Sequence, residues 1–139
     1  MTFYALLFAL ASIGVSITAY LINTRAKQEQ PVCVIGKDCH VVLESKYNSV
    51  LGIHNEVFGL IYFTIIALLC SFIVIGIGNL QWWTMIITIF VSSAAVLSLG
   101  LIILQWKIIK SWCFWCVMSA LVIFCMEIAV LTHAFILHV

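Results

Sequence analysis

Residues 112–137 read WCFWCVMSALVIFCMEIAVLTHAFIL, and how this stretch is read decides the fold. It opens on a C-x-x-C, Cys113-Phe114-Trp115-Cys116, and continues to Leu137 with Glu127 as its one charged residue. About 20 apolar residues cross a hydrocarbon core of ~30 Å, so the stretch is expected to be a membrane-spanning helix with a dithiol at its head. Backbone polar groups in lipid must be satisfied within the segment, which makes the conformation helical. Working back along the chain, Trp82–Trp106, Asn55–Ile77 and Phe3–Ile22 have the same length and character.

Composition points the same way. Of 139 residues, 65% are hydrophobic and 8% charged, more apolar surface than a water-soluble domain of this size can hide. A net charge of +1 by itself says nothing about nucleic acid, but there is no basic patch for one, so no nucleic-acid partner is expected. Thr2–Ile22 has no positive region before it and no small-residue cleavage site after it, so it is expected to be a retained span. The expected fold is all-α: an integral membrane four-helix bundle forming a single domain over residues 1–139. Its spans are 3–22, 55–77, 82–106 and 112–137.

The connections are unequal. Residues 78–81 make a tight turn, 107–111 are short and basic, and 23–54 form a long polar loop carrying Cys33 and Cys39. An even number of spans places both termini on one side and both cysteine pairs on the other. Apolar residues Val42 and Leu43 in the loop predict a short helix from about Cys39 to Tyr47, capping one end of the bundle with Asp38 as its N-cap. Ser12/Ser16 and Ala94/Ser98 have the small-xxx-small spacing of close helix contacts. Trp82, Trp83, Trp106 and Trp112 stand at span ends, where interfacial anchors belong.

The cysteines carry the chemistry. Ser111 is a candidate N-cap for the last span, which puts Cys113 in its first turn, where the helix N-terminus and Lys107 and Lys110 favour a thiolate. Cys116, three residues on, shares that face and lies deeper in the membrane. Cys33 and Cys39 enclose Val-Ile-Gly-Lys-Asp, in which Gly36 gives freedom to close a disulfide and Lys37 favours a thiolate. Two dithiols on one face can pass electrons between them; a lone loop pair would read as a structural staple. Cys70 and Cys125, mid-span, are expected to be buried small hydrophobes.

These residues resemble the vitamin K epoxide reductase family over nearly the whole chain. The order matches: a first helix, the Cys33/Cys39 loop, two further helices, then Cys113-Phe-Trp-Cys116. Ser45 in Ser45-Lys-Tyr stands for the family's loop serine, and Gly52 precedes Asn55, Gly59 and Tyr62 in an Asn-x-x-x-Gly pattern. Quinone-linked thiol oxidases of the DsbB type carry their C-x-x-C before the separated pair, the reverse of this order. The resemblance implies that a thioredoxin-like or DsbA-like thiol protein reduces the loop disulfide at Cys33. Cys39 then attacks Cys113, and Cys116 passes the electrons to a membrane quinone (ubiquinone, menaquinone or a vitamin K-like ring). It further implies a quinone site in which Asn55 hydrogen-bonds a ring oxygen, with Ser45, Phe58 and Tyr62 lining it. The alternative for Asn55 is a helix N-cap.

Two features depart from the animal pattern. Ala120 stands where animal members carry a Tyr, which leaves warfarin-type inhibition and vitamin K epoxide chemistry outside what the resemblance implies. Nothing in these residues encodes a thioredoxin domain, so the thiol partner is expected to be a separate protein. Glu127 lies about 16 Å deeper than Cys116. An acid inside a membrane is a functional candidate by default, but a protonated Glu bonded to a Ser or Thr of a neighbouring helix is the simpler expectation. His133 and His138 are expected at the far interface.

Orientation sets two rules against each other. Arg25, Lys27, Lys37, Lys46, Lys107 and Lys110 all lie on the cysteine side, which the positive-inside rule assigns to the cytoplasm. Disulfide-forming chemistry belongs to an oxidising compartment. The expectation is an extracytoplasmic cysteine side, the lysines serving the thiolates, with an inverted topology as the alternative. A different function class is a non-enzymatic membrane module, metal-binding or a small-transporter subunit, since four thiols on one face suit tetrahedral zinc; no metal site is expected on the main reading.

Overall fold

Four long helices form where the four apolar stretches were expected. The computed structural model describes residues 1–34 and 39–138. The long helices are α1 (Thr2–Ala26), α3 (Asn55–Ile75), α4 (Leu80–Leu104) and α5 (Phe114–His138), and all four are long and apolar enough to cross a membrane. Their ends have local causes. Gly76 closes α3 at φ 86°, its N–H reaching the Ile73 carbonyl while Ile77 N–H reaches Phe72. Asn79 caps α4, its side-chain oxygen accepting from Gln81 N–H at 2.9 Å. At its other end α4 runs into a π-helical turn, Gln105–Ile109, which Lys110 terminates in the left-handed region.

The core is a seam of Leu7, Ala11, Phe63, Ile66, Ile87, Val91 and Met126, each nearly inaccessible, while large apolar side chains such as Leu68, Val96, Leu97 and Phe135 face outward. That is the polarity a bilayer permits. The α1–α3 contact is the most extensive and depends on small residues. A methyl at Gly14 would meet the Phe63 ring, and one at Gly59 would lie 2.9 Å from Thr18 Cγ2. The expected Ser12/Ser16 contact face is therefore displaced. Ser16 is exposed, and both hydroxyls bond back to their own helix at Phe8 and Ser12. On α4, Ser98 is buried as expected. Cys70 is fully buried, whereas Cys125 lies on the outer surface, contrary to expectation.

α3 and α4 touch only sparsely, so a space opens between them. The loop covers that end. Its helix α2 spans Cys39–Leu43 and is shorter than expected, because Ser45 turns extended (φ −66°, ψ 151°) and a 3-10 turn, Lys46–Asn48, replaces the last helical turn. A two-stranded hairpin follows, β1 (Ser49–Val50) with β2 (Ile53–His54), closed by Leu51-Gly52 at φ 55° and 82°. Two positive φ values are what a type I′ hairpin turn requires. Gly36, Lys37 and the expected N-cap Asp38 lie outside the described residues, as does the side chain of His138.

Candidate active site

The C-x-x-C sits at the head of α5, and its first cysteine is itself the cap. The Cys113 carbonyl accepts the first helical bond, from Val117 N–H at 3.0 Å, and its sulfur accepts from Cys116 N–H at 3.4 Å. Ser111, the expected cap, lies two residues upstream of that position. The buried amide of Gln105 fixes the turn by accepting from Cys113 N–H at 3.2 Å. Cys113 has no exposed surface. Its thiol is nonetheless held below the ordinary range, first by a hydrogen bond from the Cys116 side chain, with the Cys116 and Trp115 N–H groups adding to it and burial opposing. A sulfur aimed at a helix N-terminus gains from the same partial positive charge.

Cys33 and Cys39 are joined in a disulfide with their Cα atoms 6.4 Å apart, inside the usual range. Their surroundings differ. Cys39 opens α2 and is 2% exposed, while Cys33 is half-buried between exposed Val32 and Val34. Val32 is held by two aromatic side chains: its N–H donates to the Tyr20 hydroxyl at 3.1 Å, and its carbonyl accepts from Trp115 Nε1 at 2.8 Å. Trp115 lies within the C-x-x-C, so the residue before Cys33 is bonded directly to the other cysteine motif. Cys39 and Cys113 belong to one buried cluster with Leu21, Val42 and Leu43, against which Cys33 and Cys116 also pack. All four cysteines thus meet at one end of the bundle.

Between α3 and α4 lies a cavity of about 680 Å³. This is within the range of small-molecule sites. Cys116 lines it; Cys113 does not. Asn55, Ser45, Phe58 and Tyr62 all line it too. Val96, Leu97 and Leu101, exposed on the outer surface of α4, form part of the wall, so the cavity opens sideways toward the membrane.

Asn55 occupies the first helical position, with His54 as the N-cap, so the capping alternative does not hold. The Asn55 amide instead donates a long bond, 3.4 Å, to the Tyr47 carbonyl. Ser45 donates its hydroxyl to Val42 at 2.8 Å. The Tyr62 hydroxyl is buried without a hydrogen-bond partner among the described residues. A buried polar atom left unpaired is costly, and this one lines the cavity.

Several polar residues here were not singled out from the sequence. Arg25 donates through Nε to Glu56 at 3.1 Å and pairs with it again through Nη2. Asn48 donates to the other Glu56 oxygen at 3.1 Å. An acid within an apolar span is the signal that drew notice to Glu127, and applied to the expected span 55–77 it would also have found Glu56; nothing local marks Asn48 or Gln105. Glu127 accepts from Ser92 of α4 at 3.0 and 3.1 Å, the neighbouring-helix bond expected of it. His133 stacks on Phe3 at 4.0 Å near the far end of the bundle.

The model of the vitamin K epoxide reductase family matches residues 5–131. No curated protein matches the chain. The family match takes in all four spans and both cysteine pairs, arranged around a membrane-facing cavity. The chain therefore belongs to the vitamin K epoxide reductase family, integral membrane thiol–disulfide oxidoreductases linked to quinone.

Proposed function

We propose that this single transmembrane domain generates disulfides in a thioredoxin-like or DsbA-like partner and delivers the electrons to a membrane quinone. The observation that carries the reading is the division of the C-x-x-C: Cys113 packs in the cluster that holds Cys39, while Cys116 lines the cavity. One sulfur is placed to receive electrons and the other to pass them on. A quinone accepts two electrons and two protons to become a quinol, which is what a dithiol releases on closing to a disulfide. Asn55 would donate to a ring oxygen from the start of α3, where a neutral amide costs little to bury and still stabilises developing negative charge. The Tyr62 hydroxyl, without a partner among the described residues, offers a second donor, with Phe58 and Ser45 completing the wall.

The cysteine side is assigned to the extracytoplasmic face, where a disulfide-forming enzyme meets an oxidising compartment. A C-terminal reporter should then be active on the cytoplasmic side; activity on the opposite side would establish the inverted topology. The metal-binding alternative loses ground because two of the four thiols it needs are joined in a disulfide.

Cys116→Ser tests the electron path. Quinone reduction should stop, and Cys39 should accumulate as a mixed disulfide with Cys113, visible by non-reducing mass spectrometry. Normal quinone-dependent turnover in this variant would show that Cys116 is not the electron exit.

A further inference from the structure

The loop disulfide is fastened on both sides, and the two fastenings differ in kind. On the Cys33 side, two neutral side-chain tips bond the backbone of Val32, which is 68% exposed. Bonds of this kind exchange for water at little net cost. On the Cys39 side the fastening is ionic and buried. Glu56 is 5% exposed and takes hydrogen bonds from Arg25 on one oxygen and Asn48 on the other. Both donors also reach the carbonyl of Leu43, Arg25 Nη2 at 3.0 Å and Asn48 at 2.9 Å. Leu43 ends the five-residue helix that Cys39 begins. A carboxylate withdrawn from water is tolerated only when paired and hydrogen-bonded. An apolar side chain at residue 56 would cover the same surface without that requirement, so what the cluster adds is a fixed position for α2.

We propose that Arg25, Glu56 and Asn48 form a positioning site that holds Cys39 beside Cys113 throughout the reaction, leaving Cys33 as the half that moves. The inference rests on the electron path proposed above and adds a division of labour to it. A partner thiolate bonds the Cys33 sulfur, the Cys33–Cys39 bond breaks, and Cys39 leaves as a thiolate. The second partner thiolate then displaces Cys33 and closes the partner's disulfide. Cys39 attacks Cys113 of the oxidised C-x-x-C and expels Cys116 as a thiolate. Cys33 returns to close on Cys39, expelling Cys113. Two electrons have passed from the partner to the C-x-x-C, which takes up two protons in place of the two the partner released. Cys33 leaves its seat and comes back, so its tether has to open; Cys39 exchanges between two neighbours, and its anchor does not.

The test uses the full chain carrying Cys33→Ser and Cys116→Ser, so that Cys39 and Cys113 are the remaining site thiols. Equilibration in glutathione redox buffers, read by mass spectrometry, gives the effective concentration of Cys39 at Cys113. Adding Glu56→Gln or Arg25→Gln should lower it about tenfold or more, the scale of hydrogen bonds to a charged group. In a parallel Cys33→Ser/Cys39→Ser background, the Cys113–Cys116 equilibrium should move by less than about threefold in the same buffers, well below that scale. An unchanged Cys39–Cys113 value, or equal falls in both equilibria, overturns the positioning role. Should Glu56→Gln fail to fold, Asn48→Ala removes a single donor and should give a smaller selective fall, with no fall overturning the proposal. If Cys39 and Cys113 do not cross-link even with Glu56 intact, the electron path itself is wrong, and the positioning site goes with it.

Discussion

The two cysteine pairs stand at the same end of the bundle, yet they are built in opposite ways. Cys113 caps and Cys116 lies within the first turn of a 25-residue helix, where a sulfur accepts at the cap and a buried glutamine holds the turn. Cys33 and Cys39 hang from a polar loop, with one sulfur half-buried and the other shut in against the first pair. A helix terminus offers fixed donors and a steady local field, which suits a thiolate that must wait for its acceptor. A loop offers movement, which suits a disulfide that must meet another protein. On the proposed electron path, the difference teaches that position is matched by rigidity: the loop would meet the thiol partner, and the helix faces the cavity.

The hardest test of this contrast removes the loop pair. In Cys33→Ser/Cys39→Ser, oxidation of a protein partner should fall to background, while Cys113 and Cys116 still accept electrons from dithiothreitol and reduce quinone. A double variant that oxidises its protein partner at full rate would reduce the loop disulfide to a staple.

A smaller effect is expected at Asn55, which concerns the inward-facing side alone. Asn55→Ala should slow quinol formation by on the order of 10²-fold, the usual loss for one donor to a developing oxyanion. Mixed-disulfide formation with the partner should keep its rate. Unimpaired quinol formation would move the polar contact elsewhere in the cavity.

Tyr62 sharpens the comparison with effects of opposite sign. Tyr62→Phe removes a buried hydroxyl that has no partner among the described residues, so the quinone-free protein should gain roughly 1 kcal/mol of stability. Quinone KM should rise by about fivefold, the worth of one neutral hydrogen bond. A loss of stability in detergent without quinone would mean that the hydroxyl is satisfied within the protein.

The smallest effect is a titration. Because the Cys116 side chain is the first cause of the lowered Cys113 value, Cys116→Ala should move the Cys113 midpoint upward, as read by thiolate ultraviolet absorbance. The sign follows from linkage. A folded value below the unfolded one stabilises the reduced protein fully above the ordinary thiol range, and the gain is lost as pH falls through the lowered value. The variant should therefore lose part of its alkaline stability while its stability in acid stays the same. An unmoved midpoint would leave the backbone N–H groups in sole charge of Cys113.

The two buried acids show why one part of the site was legible and another was not. Glu127 interrupts an apolar helix, and its bond to Ser92 was expected in kind because few polar groups lie at that depth. Glu56 lies instead at the second position of its own helix, and its partners, Arg25 and Asn48, come from 31 and 8 residues away. Neither separation has a periodicity that would announce it. The capping of α5 failed as an expectation for a local reason: a serine is the better cap by propensity, but the chain leaves the π-helical turn at Lys110 and stays irregular through Ser111, and the first helical bond is accepted only by the Cys113 carbonyl.

What the sequence by itself determined is whatever depends on near neighbours and solvent. Runs of apolar residues choose the membrane and the helical state, and a C-x-x-C at the head of a span fixes where two thiols lie relative to each other. Tertiary structure alone decided the rest. It packed Cys39 and Cys113, the pair that the family resemblance had already joined, into one buried cluster, and gave Cys116, expected to lie deeper, a cavity wall to occupy. It left α3 and α4 apart so that a cavity opens to the membrane, and joined Arg25 to Glu56 beneath the loop. Those outcomes depend on how helices separated by tens of residues approach one another. That approach is governed by Gly14 against Phe63 and Gly59 against Thr18, contacts that exist only once the helices have packed.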